Sequence, residues 1–310
     1  MYVPVVDGGG HWGCSLTRTA LPLAAETGGM ARRSVLFTPG DRGEMQRKAV
    51  AFGADTVVFD LEDGVAPSRL DDARETVRET LATVDPSCDL CVRVNADPET
   101  AAADLDGVLR EGSHPDSVML PKTASADAVA RLDRQLYQRD CRADVLALIE
   151  SAAGVLHAEE IASHARTDCL LFGAEDLTAD TGGIRTDAGT EVLAARSTVV
   201  LAATAAGIDA VDTHYPDIGD LDGLREDASF ALELGYDGKM ALHPEQVTVI
   251  NEAFTPPEER IEWARRIVRA VEETDGEQAV YVVDGEMVDA PQIKQARTIL
   301  DRARAAGAIE

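Results

Sequence analysis

From residue 32 onward the chain alternates short apolar runs with stretches of helical periodicity. The apolar runs cover residues 35–38, 56–61, 90–94, 117–120, 145–149, 170–172, 208–211 and 238–242, and are rich in Val, Leu and Ile. Between most of them, apolar positions recur at helical spacing, as over 69–83, 126–139, 155–164 and 190–206. Short, continuously apolar runs suit strands buried on both faces. Their alternation with helices makes them parallel, joined by crossover helices. Eight such units is the count of a (β/α)8 TIM barrel, so an α/β fold of that kind is predicted for residues 30–253. A doubly wound open sheet is the alternative, but no G-x-G-x-x-G follows the first run.

Both ends of the chain depart from this rhythm. Residues 1–29 carry Gly8-Gly9-Gly10 and Gly28-Gly29 with no clear period, and lack the basic start and apolar centre of a signal peptide. They are expected to be a disordered leader, or an artefact of the assigned start with translation beginning at Met30. After Asn251, Thr255-Pro256-Pro257 reads as a helix start with Thr255 able to cap. A helix, a run over 279–283, an Asp284-Gly285 turn and a last helix over 291–306 follow. Residues 254–310 are therefore expected to form a C-terminal helical arm or lid.

Polar residues sit at the C-terminal end of nearly every run. The first ends in Gly40-Asp41-Arg42, the second in Asp60-Leu61-Glu62-Asp63, the third in Arg93-Val94-Asn95 and the fourth in Pro121-Lys122. Glu150 closes the fifth, Glu175-Asp176 the sixth, Asp212 the seventh and His243 the eighth. In a barrel these ends converge on one mouth, where active sites form. Glu150 and Asp176 follow adjacent strands, and two carboxylates with waters and substrate oxygens suit Mg2+, with Mn2+ a substitute. Arg93 beside them would neutralise a carboxylate or a developing enolate. Glu62 and Asp63, with Glu175, are candidates to orient metal-bound water from behind. Asp176 could instead cap the helix after the sixth strand, and His243 could start a helix rather than touch substrate. His114, His157 and His164 read as ordinary loop and helix residues.

Composition narrows the setting. A formal charge of −27, from 56 acidic and 29 basic residues, excludes a nucleic-acid-binding surface, and the 45% hydrophobic content excludes global disorder. No apolar run approaches the ~20 residues that span a membrane, so a cytoplasmic protein is expected. Only Lys48, Lys122, Lys239 and Lys294 are lysines. An acidic surface this poor in Lys stays hydrated at molar salt, where self-repulsion is screened within ~3 Å, and a halophile's protein is expected. The five cysteines are odd in number and irregularly spaced, which argues against a disulfide framework. Cys88 and Cys91 are expected to be half-buried thiols, since no second pair completes a zinc set.

The strings RRSVLFTPGDRGEMQRKA (32–49), VVFDLEDGVAP (57–67), VRVN (92–95), MLPK (119–122), LIESAAGVLHAEEIA (148–162), FGAEDL (172–177), DGKMALHPEQVTVINEAFTP (237–256) and GEMVDAPQIKQAR (285–297) resemble, in order, the citrate lyase beta-subunit-like family of HpcH/HpaI aldolases. That group includes malyl-CoA, β-methylmalyl-CoA and citramalyl-CoA lyases. The resemblance implies a Mg2+-dependent barrel that makes or breaks a C–C bond beside a CoA thioester. It implies that Glu150 and Asp176 hold the metal, and that Arg93 contacts the 2-oxoacid or thioester oxygen. It implies further that Phe37, Arg42 and Lys48 line the CoA and substrate side, and that Leu242 and His243 touch the acyl or pantetheine region. Asp289 matches an acidic residue that such enzymes deliver from a neighbouring subunit, which implies a homotrimer or hexamer. The expected reaction is cleavage of L-malyl-CoA or β-methylmalyl-CoA to glyoxylate plus acetyl-CoA or propionyl-CoA. Thioester hydrolysis of malyl-CoA, giving an apparent malate synthase, and a carrier-dependent citryl lyase beta subunit are the alternatives. Lys122 is expected to act structurally or electrostatically rather than as a Schiff base.

Overall fold

The structure, a computed structural model, describes residues 32–110, 113–273 and 280–310. The expectation for residues 1–29 lies outside them. Eight parallel strands close into a barrel in sequence order: β1 (Ser34–Pro39), β2 (Thr56–Asp60), β3 (Asp89–Arg93), β4 (Ser117–Leu120), β5 (Asp144–Ile149), β6 (Thr167–Phe172), β7 (Asp209–Asp212) and β8 (Gly238–Ala241). β1 pairs with both β2 and β8, with Val35 opposite Thr56 on one side and Met240 on the other. That closure is the (β/α)8 fold expected from the sequence and excludes the open sheet.

Two apolar layers explain why the strand runs are apolar throughout. Val35, Val58, Cys91, Met119, Leu146, Leu148, Cys169, Leu171, Val211 and Met240 fill the barrel interior. The alternate positions, such as Leu36, Val57, Val92, Ala147 and Phe172, pack outward against the helices. A strand buried on both faces cannot show the polar alternation of a half-buried one.

Three sequence expectations change in detail, and one lysine takes an unexpected place. The helix expected over 155–164 is two short helices, Ala152–Leu156 and Ala158–Ala162. Ser151 starts the first by accepting from the Gly154 N–H at 3.1 Å, and the backbone leaves helical geometry at His157, where φ is −109°. Thr255 does not cap the helix Glu258–Glu272; it closes the preceding helix Pro244–Phe254, its hydroxyl donating to the Asn251 carbonyl at 2.7 Å. Cys88 and Cys91 are fully buried and free rather than half-buried, and burial pushes the Cys91 thiol up to about 12. Lys239 lies inside the protein, its ammonium between Asp212 and Asp227.

The arm is a compact unit of its own. Helices Glu258–Glu272 and Ala290–Ala305 flank a hairpin of β9 (Tyr281–Val283) and β10 (Glu286–Val288). Asp284 and Gly285 both have positive φ, 53° and 85°, as a tight two-residue turn requires. Ile261, Ala264, Ile267, Tyr281, Val288, Ala296 and Leu300 form a separate core. Arg302 ties it to the barrel through Asp237 at 2.8 Å. No helix among the described residues is long and apolar enough to cross a membrane.

Candidate active site

The inward-facing parity of each strand, continued past its end, builds the mouth. Leu146 and Leu148 point into the barrel, so Glu150 does too; Cys91 leads to Arg93, Val58 to Asp60, Val35 to Phe37 and Met240 to Leu242. A cavity of about 210 Å3 opens there. Phe37, Asp63, Arg93, Glu150, Glu175, Asp176 and Leu242, all expected from the sequence, line it.

Arg93 is 8% exposed and its fork is set by a carboxylate that the candidate set lacked. Its Nε and Nη2 donate to the two oxygens of Asp60, each at 2.7 Å, while Nη1 lies 3.3 Å from Glu62 Oε2. Asp60 also accepts from the Glu62 and Gly64 N–H groups, at 2.9 and 2.7 Å. The guanidinium stands over the Phe37 ring, 5.1 Å from its centroid. The parity of Val58 and Asp60 was the signal for this partner.

Glu150 is 4% exposed. Its Oε1 accepts from the Lys122 N–H at 2.7 Å, a donor aimed by an unusual left-handed backbone at Lys122, φ 50°. The Lys122 ammonium donates to Glu62 Oε1 at 2.7 Å, the electrostatic role expected of it. Burial pushes the Glu150 carboxyl up to about 8; the Lys122 N–H opposes this, while the charges of Asp176 and Glu62 add to it. Burial likewise raises Glu62, whose Oε2 accepts no hydrogen bond among the described residues.

Asp176 lies in the first turn of the helix Ala174–Thr181, whose N-cap is Gly173, so the capping alternative is overturned. The helix N-terminus favours its negative charge beside Glu150. Glu175 is held by Arg185 Nε at 3.0 Å, and Asp63 lies 3.6 Å from Arg93 Nη2.

This donor set fits a hard divalent cation. Two carboxylates from adjacent strands crowd one another, one of them buried enough to resist ionisation without a positive partner. Glu62 Oε2 is buried and, among the described residues, accepts no hydrogen bond, its nearest cation being Arg93 Nη1 at 3.3 Å, so it is suited to a metal-bound water. Gly173 keeps the place clear: a Cβ there would stand 2.6 Å from Glu150 Cβ and 2.8 Å from its Oε2. Gly173→Ala is therefore expected to displace the Glu150 carboxylate and weaken Mg2+ binding by ~10-fold or more, which calorimetric titration reads directly.

Other expected residues stand elsewhere. Arg42 is exposed and lies 3.4 Å from Asp41, which Arg69 also contacts at 2.8 Å. Lys48 pairs with Glu44 at 2.7 Å in the last turn of the helix Gly43–Ala49. Neither lines the cavity. His243 is the N-cap of Pro244–Phe254: its Nδ1 accepts from the Glu245 N–H at 3.3 Å, and Gln246 accepts from its own N–H at 3.2 Å. Asp289 is the N-cap of the last helix, its N–H donating to Gln292 Oε1 at 3.0 Å, outside its own chain's cavity. Of the lining residues absent from the sequence candidates, which include Leu148, Gly173 and Met240, His214 is the titratable one. It sits in the loop after β7, where no periodicity marks it.

Similarity to known proteins extends over most of the chain. The profile of the family described as HpcH/HpaI aldolase/citrate lyase matches residues 33–244. The citrate lyase subunit beta of Escherichia coli K12 is 37% identical over 288 residues, covering 89% of this chain and 94% of that protein. The mitochondrial citramalyl-CoA lyase of Rattus norvegicus is 31% identical over 287 residues, covering 87% and 85%. The crystal structure of CitE from Mycobacterium tuberculosis with magnesium, acetoacetate and coenzyme A superposes with a TM-score of 0.72 at 38% identity, covering 88% of this chain and 98% of that one.

Proposed function

The chain belongs to the HpcH/HpaI aldolase/citrate lyase family, and from that membership we propose that it is a Mg2+-dependent carbon–carbon lyase acting on a CoA thioester. The observation that carries the proposal is the Glu150–Asp176 carboxylate pair beside the buried Arg93 fork. The lyase names of the relatives, and the magnesium and coenzyme A in the Mycobacterium tuberculosis structure, support it. We assign L-malyl-CoA or β-methylmalyl-CoA as substrate, giving glyoxylate plus acetyl-CoA or propionyl-CoA.

Glu150 and Asp176 would hold the Mg2+. Bound there, the metal supplies Lewis-acid polarisation of the acid half's oxygens. In cleavage a base, solvent water included, takes the hydroxyl proton of the 3-hydroxyacyl-CoA, the oxygen's electron pair closes the 2-oxoacid carbonyl, the adjacent C–C bond breaks, and its electron pair passes to the thioester as an enolate. Arg93 offsets that charge; its fork is already set by Asp60, so little reorganisation is needed. Phe37, Leu148 and Met240 make the apolar wall that keeps water from the enolate. Protonation of the enolate carbon completes acetyl-CoA or propionyl-CoA. We assign that proton to Asp289 of a neighbouring copy. Within its own chain Asp289 is outside the cavity, and the hairpin before it exposes Val282 and Met287 directly opposite one another, at 75% and 71%.

Asp289→Ala and Arg93→Ala are each expected to be inactive alone. Mixed and allowed to exchange subunits, they regain up to about a quarter of wild-type turnover, since random pairing restores that share of sites. No rescue after proven exchange would place Asp289 in its own subunit's site.

Purified chain assayed with Mg2+ and malyl-CoA is expected to release glyoxylate without free thiol. We assign the acidic surface to a high-salt cytoplasm, so the assay is run in molar KCl. Thiol without glyoxylate would make it a thioesterase; activity only with an acyl-carrier protein would make it a carrier-dependent subunit. Absence of all three overturns the assignment.

A further inference from the structure

The mouth holds one titratable ring that the mechanism above leaves unused. His214 lies two residues past Asp212, the end of β7, and its imidazole lines the cavity with Glu150 and Asp176. Neither ring nitrogen has a hydrogen-bond partner among the described residues. A neutral imidazole carries one N–H donor and one lone pair, and here both are left to the cavity. Burial is the main influence holding the ring below its ordinary pKa. Lys239 and Arg185 push the same way, and Glu175 and Asp212 oppose them. His214 is therefore uncharged at neutral pH.

The charge around it is lopsided. Asp63, Glu150, Glu175 and Asp176 line the cavity against one lining cation, Arg93, which Asp60 already engages. A divalent cation at Glu150 and Asp176 would leave room for the single carboxylate of a small 2-oxoacid. A second carboxylate would meet either more acid or apolar wall such as Leu148 and Met240. Burying a charge without a partner is costly, and discrimination often rests on such a misfit.

We infer that His214 selects the acid half of the substrate: its imidazole, open to the cavity, hydrogen-bonds a 2-oxoacid with one carboxylate, and no lysine or arginine stands in its place to receive a second one. This rests on the lyase reading of the same site. The cavity of about 210 Å3 has room for a small 2-oxoacid beside a cation, so charge rather than size has to discriminate.

The test titrates purified chain with glyoxylate, pyruvate and oxaloacetate in Mg2+ by calorimetry, and follows condensation of each with acetyl-CoA. Wild type is expected to favour the two monocarboxylates over oxaloacetate by ~10-fold or more in kcat/KM. His214→Arg should shift that preference toward oxaloacetate by a similar factor, with the KM for acetyl-CoA unchanged. His214→Asn, which keeps a neutral donor, should keep the wild-type preference; a thermal unfolding midpoint near wild type shows that each variant is folded. Equal use of oxaloacetate by wild type, or a folded His214→Arg variant with unaltered preference, overturns the role of His214. Wild-type chain that binds none of the three in Mg2+ overturns the lyase reading and this inference together. Equal binding of all three overturns the inference alone.

Discussion

Replacing Glu150 by Gln is expected to abolish Mg2+-dependent cleavage, by on the order of 10³-fold, while leaving the barrel folded. Gln keeps the shape and an acceptor for the Lys122 N–H, but not the charge that would hold the cation. The same substitution has a second readout independent of turnover. In the metal-free folded chain the Glu150 carboxyl is pushed up to about 8 from an ordinary 4.5, chiefly by burial. Between those values the folded chain holds a proton that the unfolded chain has released. The stability contributed by this group is therefore complete below about 4.5 and is lost as pH rises towards about 8. Metal-free Glu150→Gln should melt above metal-free wild type at pH 8 and converge with it near pH 5. Mg2+ should raise the wild-type midpoint and leave the variant's unchanged. A variant less stable than wild type at pH 8 without metal would mean that Glu150 serves the fold.

Loss of Arg93 should damage turnover too, and stability more. Arg93→Leu removes the cation that both oxygens of buried Asp60 engage. Breaking a buried pair from one side costs about 3–5 kcal/mol, because the remaining charge stays desolvated. The expected loss of turnover is ~10²-fold or more, the scale of removing one preorganised group that meets developing charge. Asp60→Asn combined with Arg93→Leu should recover much of the stability and none of the turnover. Chemical denaturation and steady-state kinetics on the same samples separate the two effects. Recovery of both by the double variant would show that the pair matters only as structure.

The strands were legible because runs buried on both faces are mostly apolar and rich in Val, Leu and Ile, and their eightfold alternation with helices has few foldings. What such runs conceal is facing. Leu146 and Ile149 look alike in the sequence, yet one fills the barrel and the other meets the helices. Glu150 and Arg93 stood out as charged residues closing apolar runs. Asp60 closed one too, but it was read with Glu62 and Asp63 as one acidic cluster, although Asp60 is the one of the three that lies within the strand and on the inward parity of Val58. Gly173 has no side chain to notice, and its part is set by the Glu150 side chain, whose Cβ and Oε2 lie 2.6 and 2.8 Å from where a Cβ would be. His214 lies in a loop, where spacing carries no information about direction. His243 and Asp289 show the converse: conspicuous polar residues before a Pro-containing first turn, and both cap helices. For Asp289 capping and catalysis are compatible, because its proposed partner site belongs to another copy.

The most direct test of the metal-centred site is calorimetric titration of Mg2+ into wild type, Glu150→Gln and Asp176→Asn under one buffer and salt condition. One Mg2+ per wild-type chain, with binding lost in both folded variants, is the expected result. Binding undiminished in either variant would contradict a cation held by this pair of carboxylates.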